Sequence, residues 1–371
     1  MSISTRAAVL VETGKPLQIL DVTLLPPKAT EVVVQMGASG VCHTDLILQH
    51  SAYAPKPMVL GHEGAGTVVE VGREVTGVKV GDKVALNWSP ACGACYCCVR
   101  GQTFLCEEVE NAIVKGTMRD GTNRIEYRGE PGYHASLLST HAEFAVVDQA
   151  SCVRLPGDMP FAQAALLGCG VPTGYGAVVH AGGVEEGATV AVFGWGGIGV
   201  NSIQGAKLVG ASRIIACDIK QSNLDLALRF GATDVVNVAK TDPVEVVREL
   251  TAGRGVDYAI DTTGVPRATS QAWDCTRAGG TVVVLGRYTD SQMSLDARLF
   301  HRKGKTIKGS LYGDIVPERD IRRLAELYLD GKILLDELVL GRIALEDVNL
   351  ALEMFDDPSK PNVGHNVIMF G

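Results

Sequence analysis

The sequence has a low share of positive charge and no long run of basic residues. Its 371 residues include 34 lysines and arginines against 42 aspartates and glutamates, which gives a formal net charge of -8. Proteins that bind nucleic acid use clusters of Lys and Arg to contact phosphates. The acidic balance and the lack of such a cluster therefore argue against a nucleic-acid partner.

The sequence also lacks an unbroken apolar segment. Residues 1–16 carry a charge at Arg6 and contain no apolar core of the length found in signal peptides. Two longer stretches, Met159–Val184 and Gly187–Ala206, are free of Asp, Glu, Lys and Arg but are interrupted by many glycines. A membrane-spanning helix needs about 20 predominantly apolar residues without such interruptions. We therefore expect a cytoplasmic protein that has no membrane partner.

Hydrophobic periodicity divides the chain into two kinds of region, and its length suits two domains. In roughly the first 150 residues, short valine-rich runs such as Glu31–Gln35 and Gly66–Val71 alternate with Gly and Pro, which is typical of β-strands joined by turns. From about Pro160, apolar strands alternate with helical segments, as in Thr189–Gly194 followed by Ile198–Val209. This alternation predicts an α/β fold with a parallel sheet covered by helices on both faces.

A glycine-rich turn follows the first of these strands. The motif G-x-G-x-x-G consists of Gly194, Trp195, Gly196, Gly197, Ile198 and Gly199. Its glycines allow a tight turn and a close approach to a pyrophosphate, and the N-terminus of the next helix supplies amide donors. Asp218 ends the following strand, where a carboxylate suits the ribose hydroxyls of NAD and would repel the extra phosphate of NADP. The motif predicts NAD binding, although Lys220 could weaken this preference.

Five of the ten cysteines fall between Cys92 and Cys106. In a cytosolic protein, clustered cysteines more often bind metal than form disulfides. Four of them have the spacing of a tetrahedral zinc site: Cys92, Cys95, Cys98 and Cys106. Cys97 interrupts this spacing and is not expected to bind. Because four thiolate ligands leave no open position, the predicted zinc site is structural.

A second set of metal-binding residue types is spread along the chain. Cys42, His62 and Cys169 offer two thiolates and one imidazole, and Glu63 is a candidate transient ligand. Each residue alone would be explained better as an ordinary buried side chain. Together they leave one position open for water or substrate, as a catalytic zinc site requires. Because Cys169 precedes the nucleotide glycines closely, we expect this zinc to lie within reach of a bound nicotinamide.

These motifs resemble those of the zinc-containing medium-chain alcohol dehydrogenases, and in particular the class I and class III enzymes of the dimeric branch. The resemblance extends over essentially the whole chain and is carried by GVCHTD (40–45), GHEGAG (61–66), the cysteines at 92–106, GTMRDGT (116–122), LSTHAEF (138–144), LGCG (167–170) and the glycine turn with Asp218. It implies a GroES-like β-rich catalytic domain with both zinc sites, formed by residues 1–170 and 310–371. A Rossmann domain at 171–309 and an active site between the domains are also implied. The segment Asn111–Thr140 resembles the longer loop of the dimeric branch, which implies a homodimer.

The resemblance further implies a reversible hydride transfer between a primary alcohol and NAD. Cys42, His62 and Cys169 match the Cys₂His ligand set known for the catalytic zinc of this family, which binds the alcohol oxygen and lowers its pKa. Thr44 matches the hydroxyl that takes the alcohol proton. We expect Asp45 to orient the ring of His62 through its free N–H.

Residues that contact coenzyme and substrate are implied by the same matches. His43 stands where relatives place a basic residue against the coenzyme pyrophosphate. Trp88 matches an aromatic residue of the substrate pocket, whereas Ala135 and Ser136 match bulkier residues and would widen its outer part. Arg287 is a candidate for the wall of the substrate channel, and a solvated side chain is the equal alternative. The expected substrate is a medium-sized primary alcohol, with aromatic and allylic alcohols as candidates.

Three departures from the family's pattern leave parts of this mechanism open. Ile47 stands where many relatives have a histidine that passes the proton to solvent, so His50 or water would have to replace it. Glu110 stands where relatives that oxidise a glutathione adduct of formaldehyde have an arginine. An arginine near the C-terminus of relatives, which contacts the coenzyme, is represented here by His365 or Asn366.

Other functions explain fewer of these residues. A zinc-free quinone or enoyl reductase would not need Cys42, His62 and Cys169 together and usually prefers NADPH. A zinc-binding protein without catalysis would be indicated by the loss of Thr44 or a ligand, and all are present. A zinc-ribbon nucleic-acid module would explain the cysteine cluster alone. A thiol-adduct formaldehyde dehydrogenase of the same family stays open as the alternative function.

Overall fold

The computed structural model describes residues 1–288, 292–355 and 364–371. These residues divide into two compact units. The first unit comprises Met1–Cys169 and the described residues from Val316 onward, and the second comprises the described part of Gly170–Ile315. Among these residues, no helix has both the length and the apolar character that would be needed to cross a membrane.

Strands dominate the first unit and alternate with helices in the second. The strands are β1 (Ile3–Leu10), β2 (Gln18–Leu24), β3 (Glu31–Gly40), β4 (Met58–Val59), β5 (Glu63–Val71), β6 (Lys83–Leu86), β7 (Ile125–Tyr127), β8 (Glu130–His134), β9 (Phe144–Asp148), β10 (Cys152–Arg154), β11 (Thr189–Phe193), β12 (Arg213–Asp218), β13 (Asp234–Asn237), β14 (Val256–Asp261), β15 (Thr276–Val284), β16 (Thr306–Gly309), β17 (Val339–Ile343) and β18 (His365–Met369). The helices are α1 (His43–His50), α2 (Glu107–Lys115), α3 (Phe161–Leu166), α4 (Gly170–Gly176), α5 (Gly197–Leu208), α6 (Gln221–Phe230), α7 (Pro243–Leu250), α8 (Pro266–Cys275), α9 (Arg298–Lys303), α10 (Pro317–Leu329) and α11 (Val348–Glu353).

The first unit contains a closed barrel and a larger sheet. The barrel has the strand order β1-β2-β7-β8-β4, and the sheet has the order β10-β6-β5-β3-β18-β17, with β9 also paired to β3. Strand β3 has hydrophobic cores on both faces: Val32 and Val34 pack with Val68 on one side, while Val33 packs with Val9 on the other. Because successive side chains of a strand point to opposite faces, this double burial explains the unbroken valine run.

Strand pairing brings two of the predicted metal ligands together. The end of β3 pairs antiparallel with the start of β5, so that Gly40 lies opposite Glu63. Cys42 lies two residues after the end of β3 and directly precedes the first residue of α1. His62 directly precedes β5. Cys42 and His62 are 20 positions apart in the sequence, and this pairing makes them neighbours at one end of the two strands.

Helix α3 carries the third predicted ligand to the same sheet. The ring of Phe161, at the start of α3, lies where a side chain at Gly37 of β3 would be, because a Cβ there would come within 2.2 Å of the ring. The helix packs on β3 and β5 and ends at Leu166. The chain then reaches Cys169 after one further short turn.

The second unit has a six-stranded sheet in the order β13-β12-β11-β14-β15-β16, and all of its strand pairs are parallel. In order of appearance within this unit the strands read 3-2-1-4-5-6, which is the arrangement of a Rossmann fold. The predicted parallel sheet is thus confirmed. Gly231 ends α6 with a φ of 117°, a left-handed conformation in which glycine carries no steric penalty.

Candidate active site

Four side chains from the first unit converge on one point. The ligand atoms of Cys42, His62, Glu63 and Cys169 all lie within 4.8 Å of one another. Cys42 is buried, His62 is 2% exposed and Glu63 is fully buried, whereas Cys169 is partly exposed. Two sulfur atoms, one imidazole nitrogen and one carboxylate oxygen form a donor set that suits Zn²⁺.

The orientation of His62 leaves one nitrogen for a metal. Its Nδ1 lies 3.2 Å from Oδ1 of Asp45, a carboxylate on the first turn of α1. Its Nε2 is buried and has no hydrogen-bond partner among the described residues. A buried ring nitrogen without a partner is costly unless something binds it. With Nδ1–H directed at the carboxylate, Nε2 presents its lone pair to the two cysteines.

Asp45 is a buried anion surrounded by donors. Its carboxylate accepts hydrogen bonds from the backbone N–H groups of Cys42, at 2.9 Å, and Gly61, at 3.2 Å. Burial by itself would raise the pKa of this carboxyl, but its interactions with the rings of His62 and His141 outweigh burial and hold the pKa well below its usual range. Asp45 therefore stays ionised and holds the ring of His62 from the side away from the cysteines.

The thiol of Cys42 has the opposite electrostatic environment. A hydrogen bond with Cys169, followed by burial and the charge of Glu63, raises its pKa well above the ordinary value of a cysteine. Two thiols beside a carboxylate favour the binding of a cation, because a positive charge would stabilise the thiolate forms. The donor set thus fits a divalent metal on chemical as well as geometric grounds.

The two oxygens of Glu63 differ in their contacts. Oε2 lies 2.7 Å from Nδ1 of His365 on β18, and Oε1 is buried without a partner among the described residues. Burial would lower the pKa of His365, but the charge of Glu63 outweighs it and raises this pKa to about 9. His365 and Asn366 were the two candidates for the arginine that relatives have near the C-terminus. His365 is the one that pairs with a carboxylate of this site, that of Glu63.

The four cysteines of the predicted structural site also meet. The sulfur atoms of Cys92, Cys95, Cys98 and Cys106 lie within 4.8 Å of one another. The Sγ atoms of Cys92 and Cys98 are 3.9 Å apart. Backbone N–H groups, first that of Cys98, lower the pKa of the Cys95 thiol to about 6, whereas burial raises that of Cys98 to about 12. Cys97 is not part of this group.

The glycine-rich turn of the second unit has the backbone that its sequence predicts. Gly194 follows β11 with a φ of 93°, and Gly196 directly precedes α5. A Cβ at Gly199 would lie 2.0 Å from the carbonyl oxygen of Gly194, so no larger residue fits there. Gly197 and Ile198 form the first turn of α5, whose N–H groups are directed out of the helix end.

A cavity of about 530 Å³ lies beside this turn and is lined by residues of the turn, of β12 and of α6. Asp218 lines this cavity and accepts hydrogen bonds from the backbone N–H groups of Trp195, at 2.9 Å, and Lys220, at 2.8 Å. The side-chain amide of Asn223 donates a third hydrogen bond to it at 2.9 Å. Lys220 and Arg267 also line the cavity. The cavity therefore has a carboxylate that suits the hydroxyl groups of a ribose, and two positively charged side chains in the same lining.

Asn223 and His141 were not predicted as site residues from the sequence, and His365 was considered only as a coenzyme contact. Asn223 orients Asp218, and its Oδ1 is buried without a partner among the described residues. His141 is fully buried beside Asp45, and His365 pairs with Glu63. Asn223 follows Asp218 by only five positions, so this contact could have been found from local spacing in the sequence. The contacts of His141 and His365 join distant segments and left no such signal.

The remaining predicted residues have less distinctive surroundings. His43 is exposed on α1 and its ring centre lies 5.7 Å from that of Phe355, and Thr44 is half-buried on the same turn.

The residues predicted for the substrate pocket lie in different surroundings. Trp88 is partly buried against the core that contains β3. Ala135 is buried in the core around α1, and Ser136 beside it is half-buried with a φ of 49°. Arg287 is exposed.

Known proteins resemble both units. A family model described as an alcohol dehydrogenase GroES-like domain matches residues 28–157, and one described as a zinc-binding dehydrogenase matches residues 197–330. The NDMA-dependent alcohol dehydrogenase of Amycolatopsis methanolica is 40% identical over 351 residues, which are 93% of this chain and 94% of that protein. The chain belongs to the zinc-containing medium-chain alcohol dehydrogenase family. The predicted combination of a GroES-like and a Rossmann domain is confirmed.

Other members of the family show the same extent of similarity. The class-3 alcohol dehydrogenase of Cereibacter sphaeroides is 38% identical over 362 residues, 94% of this chain and 96% of that protein. The crystal structure of benzyl alcohol dehydrogenase from Acinetobacter calcoaceticus has 32% identity, a TM-score of 0.93 and full coverage of both chains. The chain is thus a zinc alcohol dehydrogenase, as the sequence predicts.

Proposed function

We propose that this zinc alcohol dehydrogenase uses NAD to oxidise a medium-sized primary alcohol and holds one catalytic and one structural zinc ion per chain. The convergence of Cys42, His62 and Cys169 carries the proposal, together with an Nε2 of His62 that has no partner among the residues the structure describes. A zinc ion held there would act as a Lewis acid that lowers the pKa of the alcohol oxygen. The likeness to a benzyl alcohol dehydrogenase supports aromatic alcohols as candidates.

The chain's own residues account for the steps around this centre. Asp45 keeps the ring of His62 in one orientation and one tautomer. Thr44, one position before Asp45 on α1, takes the proton of the alcohol hydroxyl in this proposal, and His50 or water passes it on. Asp218, oriented by Asn223, binds the ribose of NAD in the second unit. Trp88, Ser136 and Arg287 remain proposals for the substrate pocket.

A second candidate function is oxidation of a thiol adduct of formaldehyde. The S-(hydroxymethyl)glutathione dehydrogenase of Paracoccus denitrificans is 37% identical over 361 residues and supports this candidate. Glu110 opposes it, because this exposed carboxylate on α2 would repel the carboxylates of a glutathione adduct. We therefore favour a free alcohol as the substrate.

Initial rates at the NADH absorbance band would test these proposals. The zinc-loaded protein would be assayed with NAD or NADP and with primary, secondary, allylic and aromatic alcohols. Formation of NADH from a simple primary alcohol, lost in Cys42→Ala, would support the first candidate. Activity only when formaldehyde and a thiol are both supplied would assign the second. No turnover by a zinc-loaded protein would favour a role without catalysis.

We further propose that the chain forms a homodimer, on the basis of the segment Asn111–Thr140. Light scattering during size-exclusion chromatography should then give twice the mass of one chain, whereas four times that mass would contradict the dimeric branch. A cytoplasmic location stays a prediction.

Replacing Asp45 with Asn should lower kcat/KM and zinc affinity by about 10- to 100-fold, the range typical for carboxylates that hold a metal-binding histidine. The neutral amide would no longer favour a proton on Nδ1 of His62. The checks are steady-state kinetics and the zinc content after dialysis against a chelator. Asp21→Asn, a change at an exposed carboxylate on β2, is the control and should alter neither value. Equal zinc retention in both variants would contradict the role of Asp45.

Replacing Asp218 with Ala should reduce the preference for NAD over NADP by about tenfold or more, which corresponds to at least ~1.4 kcal/mol. The change removes the negative charge that would repel a second phosphate, while Lys220 and Arg267 stay in the cavity lining. The measurement is the ratio of kcat/KM for the two coenzymes. Asp225→Asn, at an exposed position on α6, is the matched control. An unchanged ratio in the Asp218 variant would place the ribose elsewhere.

A further inference from the structure

A second histidine contacts the buried carboxylate that holds His62. His141 is fully buried, and its Nε2 lies 3.5 Å from Oδ2 of Asp45, while Nδ1 of His62 lies 3.2 Å from Oδ1. Nε2 of His141 makes no hydrogen bond within the described part of the chain, so its contact with Asp45 at 3.5 Å is electrostatic. One imidazole therefore lies against each oxygen of a single carboxylate.

The backbone donors of this carboxylate are divided in the same way. The N–H of Cys42 donates to Oδ2, and the N–H of Gly61 donates to Oδ1. Each oxygen of Asp45 is thus contacted by one backbone amide and one histidine ring. Without His141, Oδ2 would retain the Cys42 amide alone, and the carboxylate would be free to turn away from His62.

The opposite side of His141 determines which nitrogen faces Asp45. Its Nδ1 lies 2.8 Å from Oγ of Ser39, which in turn lies 2.7 Å from Oγ1 of Thr140, and all three residues are buried. A neutral imidazole carries a proton on one nitrogen only. Ser39 also lies 3.1 Å from the carbonyl oxygen of Glu63, to which the hydroxyl of Thr140 donates at 3.3 Å. With that oxygen served by Thr140, Ser39 donates to Nδ1, and Nε2–H faces the carboxylate favourably. The other tautomer would place a lone pair against a negative charge, so the first is selected.

The backbone holds His141 in place independently of Asp45. Its N–H donates to the carbonyl of Leu60, and its carbonyl accepts from the N–H of Ala8. Gly61 has a φ of 95°, and a Cβ there would lie 2.5 Å from the backbone nitrogen of His141. The two segments approach this closely only because residue 61 is a glycine. His141 is consequently a fixed support rather than a side chain that follows the carboxylate.

We propose that His141 is a positioning residue of the catalytic centre, whose Nε2–H holds Oδ2 of Asp45 so that Oδ1 stays directed at His62. The free nitrogen of His62 then stays directed at the two cysteines. This inference rests on the proposed catalytic zinc, and it assigns a role to a residue that binds neither metal nor substrate. It predicts that the zinc affinity of the site depends on the contact between Nε2 of His141 and Asp45, and that Nδ1 acts only by selecting the tautomer.

Two substitutions at the same position separate these nitrogens. His141→Asn retains an amide near the position of Nδ1 and the contact with Ser39, but it does not reach Asp45. His141→Gln extends its amide to the position of Nε2. The measurement is the release of Zn²⁺ to a colorimetric chelator, with His62→Ala as the reference and thermal unfolding as the check of folding. Zinc affinity should fall about 10- to 100-fold in His141→Asn and stay within about threefold in His141→Gln.

Each outcome decides a different point. Zinc binding by His141→Asn that equals that of the unmodified protein would overturn the inference, and so would equal losses in both variants, since that would show a general packing effect. If His141→Asn does not fold, Ser39→Ala tests the same tautomer and should weaken zinc binding in the same direction. Equal zinc release from the unmodified protein and His62→Ala would instead show that no zinc is held here, and the proposed function would fail with the inference.

Discussion

Replacing His62 with Ala is expected to lower kcat/KM at least about a thousandfold and to remove one zinc ion per chain. The change deletes the only nitrogen donor of the converging set and leaves Asp45 without its ring partner. A catalytic metal contributes several kcal/mol to the stabilisation of charge in the transition state, and each ~1.4 kcal/mol is a factor of ten in rate. The measurements are steady-state kinetics with NAD and an aromatic primary alcohol, and elemental analysis of zinc.

The control for this prediction is a histidine outside both sites. His301 is exposed on α9, and His301→Ala should leave the rate and the zinc content unchanged. Retention of both zinc ions and of near-normal kcat/KM by His62→Ala would contradict the catalytic assignment. A loss of zinc without a loss of rate would separate the metal site from catalysis.

Local sequence patterns predicted those parts of the fold that depend on neighbouring residues. The valine run of β3 and the strand β12, with Asp218 at its end, have the positions that alternation and apolar length indicate. The glycine turn could be predicted for the same reason, because Gly194 has a left-handed φ of 93° and a Cβ at Gly199 would meet the carbonyl oxygen of Gly194, five residues earlier. Helix α8 begins at Pro266, because proline is favoured in the first turn.

Contacts between distant segments were beyond local patterns. The pairs His365–Glu63 and His141–Asp45 join residues that are far apart in the sequence and depend on how β18 and the segment before β9 pack beside β3 and β5. No periodicity or motif records such a pairing. Side-chain direction is equally hidden from the sequence, as Ala135 shows: it was matched to a pocket wall, and the structure places it in a hydrophobic core.

Replacing Cys106 with Ser is expected to lower the melting temperature by about 5–10 °C, the second-largest effect we foresee. The segment from Cys92 to Cys106 has only two short 3₁₀ turns, Cys98–Arg100 and Thr103–Leu105, and a small core shared with α2. So little packing offsets only part of the conformational entropy of an ordered loop, and we expect a bound metal to supply the difference. The proposed structural zinc does so only with all four thiolates in place.

Cys97 provides a matched control within the same loop. It is partly exposed and lies outside the group of converging thiols, so Cys97→Ser should unfold at nearly the same temperature as the unmodified protein. Differential scanning calorimetry would compare the two variants, and limited proteolysis would show whether cleavage increases within the loop of Cys106→Ser. Equal melting temperatures would mean that the loop is ordered by packing alone. A loss confined to Cys106→Ser, with one zinc ion fewer per chain, would show that metal binding and folding of this loop are one equilibrium.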